Sequence, residues 1–206
     1  MKILLLGATG RVGSFLVNLL LEAKIELVLL VRDESKITIQ HDLLTVLSGN
    51  TLNVQDLQKA TENVNGVISA LNTDGVNTLS RTMELLIPLL EKKNINRIVT
   101  IGTAGILQSR LVPSALRYLS PESKRKSTTA AIDHERAYQS LKASQLNWTV
   151  VCPTYLPDGP IRKKYRLEKK FLPLDGKSIS TGDTAYFAFK EFFECKYNRT
   201  RVGISY

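Results

Sequence analysis

The 206-residue chain carries 28 lysines and arginines against 19 aspartates and glutamates, a formal net charge of +9, and 43% of its residues are hydrophobic. That length and apolar content suffice for one sizeable core and fall short of two ordinary domains. The two cysteines, Cys152 and Cys195, match no metal spacing and no disulfide framework, so a single cytoplasmic domain over residues 1–206 with no metal site is expected.

The N-terminal apolar run is too short for a membrane span, which needs roughly 18 apolar residues, and glycines and Arg11 interrupt it. The excess positive charge fits nucleic acid or an anionic small molecule equally well at first sight. Its main concentrations, Lys124 to Lys126 and Arg162 to Lys170, lack regularly interleaved aromatics, and no nucleic-acid-binding motif is present. Solvated faces, or the steering of phosphorylated cofactors, are the readings retained. Neither nucleic acid nor membrane is an expected partner.

In chain order, a strand over Ile3 to Leu6 runs into Gly7, Gly10 and Gly13, and Phe15, Leu16, Leu19, Leu20 and Ala23 then fall on one helical face. Strand, glycine turn and helix in succession form a site for a pyrophosphate. Glycine lets backbone N–H groups approach the anion, and the first turn of the helix adds donors and a favourable dipole. A second strand, Glu26 to Val31, ends about 20 residues after the glycines, where such a unit reads the adenosine ribose. Here stands Arg32. A carboxylate at that point would bind a free 2′-hydroxyl; an arginine fork suits a 2′-phosphate, so NADPH is expected over NADH. The alternative for Arg32 is a solvated surface charge.

The polar turn from Asp33 to Lys36 brings Ser35 and Lys36 near the same phosphate. A third strand, Leu43 to Ser48, breaks at Gly49-Asn50-Thr51, where short polar side chains meet an adenine or simply make a turn. A helix capped by Asn53 is expected to Asn63, then a buried strand from Gly66 to Leu71 ending at Asn72. The spacing predicts a helix over Thr78 to Lys93, kinked at Pro88, and a strand over Arg97 to Ile101. From Ile106 to Ser127 periodicity weakens, as in a lid or binding surface. A helix over Thr128 to Ser144, a strand over Trp148 to Cys152, and a helix over Asp183 to Cys195 follow. Arg201 to Tyr206 is expected as a sheet-edge strand. The alternation predicts an α/β fold, a doubly wound parallel sheet with helices on both faces. Residues 153–206 form a small C-terminal appendage over the carboxyl edge and the substrate pocket.

Five stretches together resemble one family: Gly7-Ala8-Thr9-Gly10-Arg11-Val12-Gly13, Val31-Arg32-Asp33, Gly49-Asn50-Thr51, Leu141 to Leu146 leading into Trp148 to Val151, and Ile179 to Asp183. The chain is similar to the atypical short-chain dehydrogenase/reductases, within them the compact NAD(P)H-binding group of flavin (biliverdin-IXβ) reductases and NmrA-like proteins. The resemblance implies a Rossmann fold holding NADPH. It places Thr9, Gly10, Arg11 and Val12 on the pyrophosphate, Arg32 and Ser35 on the 2′-phosphate, and Asn50 and Thr51 near adenine. Asn50 replaces the family's usual aspartate. Leu71 and Asn72 match positions lining the ribose, and Thr103, Pro153, Thr154 and Tyr155 positions beside the nicotinamide.

Chemistry is less well marked. Tyr138 and Lys142 have the spacing of the superfamily's tyrosine/lysine pair, but the family dyad belongs where this chain has Ala130 and His134, and the match is read as coincidental. His134 itself reads as a core imidazole. Candidate catalytic residues are Thr103, at the family's serine position, and Tyr138 and Tyr155, where the flavin reductases carry histidines. Phenol for imidazole raises the reference pKa from about 6.5 to about 10, weakening a proton relay. Tyr155 stacking on a planar substrate and Tyr138 packing in the core are the other readings. The expected activity is NADPH-dependent hydride transfer to a flavin, a quinone or a tetrapyrrole-like acceptor, which needs no strong acid/base group. The alternative is a non-catalytic, NADP-binding redox sensor.

Overall fold

Alternate side chains of the first strand belong to two different cores: Leu4 and Leu6 pack to one side, Ile3 and Leu5 to the other. A strand of this kind lies in the middle of a sheet covered on both faces, which explains why it reads as a continuous apolar run. The computed structural model describes residues 1–75, 77–123 and 127–206; Val76 and the basic run Lys124 to Lys126 lie outside the described residues. Its elements are β1 (Lys2–Leu6), α1 (Arg11–Glu22), β2 (Glu26–Val31), β3 (Leu44–Ser48), α2 (Val54–Ala60), β4 (Gly66–Ser69) and α3 (Thr78–Lys92). Then come β5 (Arg97–Ile101), α4 (Thr129–Ala143), β6 (Asn147–Pro153), β7 (Arg166–Lys169), α5 (Thr181–Glu194) and β8 (Thr200–Ser205).

The strands form one eight-stranded sheet in the order β3-β2-β1-β4-β5-β6-β8-β7. Among the described residues the strands pair in parallel except β7, which runs antiparallel to β8. α2, α3 and α4 bury their apolar residues against one face, and α1 and α5 against the other. The chain winds outward from β1 to β3, then returns to add β4 on the opposite side of β1. In such sheets ligands bind where the winding reverses, outside the carboxyl ends of the two central strands.

The last fifty residues are more deeply built in than an appendage. β8, expected at the sheet edge, lies between β6 and β7 and is buried along nearly its whole length. The true edge strand is β7, whose sequence Arg-Leu-Glu-Lys reads as part of a basic run, because charged side chains belong on an exposed strand edge. α5 is fixed from beneath by a buried ion pair: the Arg97 guanidinium meets Glu191 Oε1 at 3.0 Å. Thr149 and the Tyr197 N–H donate to the same oxygen at 3.0 and 2.9 Å.

Several ends differ from expectation for local reasons. α2 stops at Ala60 because the Thr61 hydroxyl donates back to Leu57 O at 2.8 Å and Asn63 turns to a φ of 57°. β4 ends at Ser69, two residues early, because Ala70 and Leu71 leave the sheet to line a cleft. Within the segment read as a lid, the Glu122 carboxylate accepts from the Ser109 hydroxyl and from the Arg110 N–H at 2.8 Å, and faces Arg117 at 3.6 Å. Partial burial pushes this carboxyl up, but those donors and the Arg117 charge outweigh it and hold it below the ordinary value.

Candidate cofactor cleft

A cleft of about 350 Å³ opens at the carboxyl ends of β1, β2 and β4, where the winding reverses. Its size falls within the usual range for small-molecule sites. Its floor is the glycine turn. Gly7 has a φ of +78°, and a Cβ there would stand 2.4 Å from Ala70 O; a Cβ on Gly13 would stand 2.0 Å from Gly7 O. Both positions therefore demand glycine, one for its backbone angle and close approach, the other to seat α1 against the turn.

The start of α1 is open. Gly10 occupies its N-cap position and no side chain caps the helix, so the first-turn N–H groups and the positive end of the helix dipole are left for an external anion. Three other helices receive a side-chain oxygen at their first turn. Asn53 Oδ1 caps α2 at Gln55 and Asp56, and Ser180 Oγ caps α5 at Asp183. α3 begins at the rim of the same cleft through Thr78, but its Leu79 and Ser80 N–H groups donate to the buried Asp133 carboxylate of α4 at 3.1 and 3.0 Å.

The structure sorts the expected cofactor residues into groups. Gly7, Thr9, Gly10, Arg32, Asn50, Thr51, Leu71 and Asn72 line the cleft together. Val12 and Gly13 are buried behind it. Arg11 is exposed, is not part of that lining, and donates to Leu156 O at 2.9 Å and Asp158 Oδ1 at 3.2 Å. Arg32 is exposed and makes no ion pair among the described residues. Ser35 instead serves its own turn: its hydroxyl and N–H donate to Asp33 Oδ1 at 2.6 and 3.1 Å, holding that carboxyl below its ordinary value. Asn50 accepts from the Leu52 N–H through Oδ1 at 3.0 Å, which commits its acceptor and leaves its amide donors. Thr51 accepts from the Thr82 hydroxyl at 3.0 Å and is buried.

Thr103, Pro153, Thr154 and Tyr155 lie outside that lining, at the carboxyl ends of the adjacent strands β5 and β6. Thr103 is buried and accepts from the Gly105 N–H at 3.4 Å. Tyr155 is 72% exposed. Tyr138 is not brought to them. It sits in the core edge-on to Trp148, ring centroids 5.7 Å apart, with the Arg201 guanidinium 4.4 Å from its ring centre. The aromatic-packing reading of Tyr138 is the one its surroundings match.

Asp133, Asp158 and Glu191 were not marked by the sequence, since each meets partners far along the chain. Tyr118 was missed too. Its hydroxyl donates to Glu135 at 2.5 Å, which with partial burial pushes its pKa up to about 12. Burial likewise pushes the Cys152 thiol up to about 12. Neither group ionises near neutral pH. No cluster of metal-ligating side chains exists among the described residues, and no helix there is long and apolar enough to cross a membrane. In the basic run Arg162 to Lys170, Arg162 covers the ring of Tyr206, Lys163 that of Tyr186 and Lys169 that of Tyr197. The rings near these cations are thus engaged within the chain rather than interleaved for stacking on bases.

A sequence model of the NAD(P)H-binding family matches residues 7–194. Among solved structures, a proposed epimerase from Bacteroides thetaiotaomicron is 26% identical with a TM-score of 0.86, over 100% of this chain and 96% of that one. A short-chain dehydrogenase/reductase from Veillonella parvula, solved in complex with NADP, is 24% identical with a TM-score of 0.82, over 100% and 94%. An anaerobillin reductase from Escherichia coli O157:H7 is 20% identical with a TM-score of 0.83, over 100% and 97%.

Proposed function

The chain belongs to the NAD(P)H-binding family, and on that premise we propose that it is an NADPH-dependent oxidoreductase acting on a planar acceptor such as a flavin or quinone. The observation that carries this reading is the uncapped start of α1 above a glycine cradle, with Arg32 at the rim and without an ion-pair partner among the described residues. The residues present fit the dinucleotide: side chains at Gly7 or Gly13 would collide with backbone, and the open donors of α1 match a diphosphate. Arg32 would take the 2′-phosphate with a planar fork that lysine cannot offer. Thr9 and Gly10 would border the diphosphate, Asn50 would offer its amide donors to adenine, and Leu71 and Asn72 would flank the ribose.

When bound, the nicotinamide supplies the hydride. This chain's contribution is alignment. Thr103 and the Pro153 to Tyr155 segment stand side by side at the ends of neighbouring strands, and the exposed Tyr155 ring is available to stack on a flat acceptor. Cys152 and Tyr118 hold their protons near pH 7 and supply no acid of matched pKa. A flavin or quinone suits such a site, because its reduction needs little beyond ring alignment and solvent protons.

Following NADPH absorbance with excess FMN, riboflavin and small quinones tests the reading. Turnover with at least one is expected; tight NADPH binding without turnover on any would overturn it. The placement of Tyr138 in the core and of Thr103 in a backbone turn favours a second reading, an NADP-binding redox sensor. Partner capture that follows the NADP⁺ to NADPH ratio would support that alternative.

A further inference from the structure

Arg11 is the first residue of α1, yet its side chain leaves the helix for a segment 145 residues further along the chain. Nη1 donates to Leu156 O at 2.9 Å and to Asp158 Oδ1 at 3.2 Å. The segment it reaches is itself fixed. Thr181 N donates to Pro157 O at 3.1 Å, Gly182 N to Gly159 O at 3.1 Å, and the Ser180 hydroxyl to Pro160 O at 2.8 Å. Residues 156–160 are therefore a shelf hung on the N-terminus of α5, and Arg11 is tied to a rigid part of the molecule.

The tie contributes little to stability, since the two side chains are 59% and 74% exposed. Its effect is on direction. Nε and Nη2 of Arg11 have no partner among the described residues, and Arg11 is the residue with which α1 begins, one position after its uncapped Gly10. A guanidinium that must be ordered on binding loses side-chain entropy at that moment; one already oriented does not.

We propose that Asp158 is a positioning residue for the cofactor: with Leu156 O it holds Arg11 by one nitrogen, so that the remaining donors are presented to the diphosphate at the start of α1. The inference rests on the dinucleotide reading above. It makes a prediction opposite in sign to simple electrostatics. A carboxylate close to a diphosphate repels it, so on charge alone removing Asp158 strengthens binding. If Asp158 acts by orienting Arg11, removing it weakens binding.

The test is a fluorescence or calorimetric titration of NADP⁺ with wild type, Asp158→Ala, Asp158→Asn, Arg11→Gln and the double variant Arg11→Gln/Asp158→Ala. Adenosine 2′-monophosphate serves as the fragment without a diphosphate. Asp158→Ala is expected to weaken NADP⁺ about threefold to fivefold, the range of one exposed ion pair. Asp158→Asn, which loses the charge but keeps an acceptor for Nη1, is expected to stay within about twofold of wild type. Asp158→Ala should have no further effect once Arg11 is glutamine, and should leave adenosine 2′-monophosphate binding unchanged. Tighter NADP⁺ binding by both Asp158 variants, no change in Asp158→Ala, or an equal loss for the fragment would overturn the inference. Failure of wild type to bind NADP⁺ would overturn the dinucleotide reading itself.

Discussion

Two helices begin at one cleft and begin differently. α1 starts on Gly10 with no capping side chain, whereas α3 starts on Asn77 with a φ of 68° and receives the Asp133 carboxylate at its first turn. Both ends carry the same partial positive charge. At α3 a carboxylate from within the chain has met that charge; at α1 the sequence leaves it unmet. Of the two, α1 is the one left open to an external anion, and the difference lies in what the sequence withholds there.

Closing α1 is the most damaging way to break the contrast. Gly13→Ala places a methyl 2.0 Å from Gly7 O, lifting the helix from the turn. Calorimetry should find NADP⁺ binding weakened at least about a hundredfold, and urea unfolding a stability loss of about 1–3 kcal/mol or more. Arg32→Asp comes next, since it removes the charge-assisted bonds proposed to the 2′-phosphate, worth about 1.5–3 kcal/mol. NADPH should weaken about tenfold to a hundredfold while NADH changes little; unchanged selectivity would mean that another group reads the phosphate.

Opening α3 is the converse experiment. Asp133→Ala strips the cap and leaves the Leu79 and Ser80 N–H groups unpaired in a buried place, which should cost about 1–2 kcal/mol in urea unfolding. Sulfate should restore part of that loss, because the freed helix end becomes an anion site like the one at α1.

The smallest effect concerns Glu122, whose folded carboxyl titrates below the ordinary value. A depressed pKa contributes stability above the unfolded value of about 4.3, and that contribution is lost as pH falls through it toward the folded one. Proteolysis within residues 106–123 should accelerate below about pH 4 and lose this pH dependence in Glu122→Gln.

The α1 side of the molecule was legible in the sequence because backbone geometry dictates its residues. Gly7 and Gly13 are forced by contacts a few residues or one strand away, and the length of one strand-helix-strand unit puts position 32 at the cleft. The order of elements, the two covered faces of the sheet and the Arg97 to Ile101 strand were legible for the same reason. Side-chain partnerships across the fold were not. Asp133 reaches residues 53 and 54 positions away, and Glu191 reaches Arg97 across 94, so neither leaves a local pattern. β7 was hidden because an edge strand of alternating charge lacks the apolar run of its neighbours. Tyr138 had the spacing of a catalytic tyrosine, but the helix turns it inward onto Trp148, a direction that spacing alone does not give.

On the proposed reading, the open start of α1, and not the closed start of α3, receives the dinucleotide. A crystal structure with NADP⁺ tests it directly. The diphosphate is predicted within hydrogen-bonding distance of the N–H groups at the start of α1, with Asp133 still on Leu79 and Ser80 and Arg32 on the 2′-phosphate. A diphosphate seated on α3 with Asp133 displaced, or a dinucleotide bound away from the glycine turn, would contradict it.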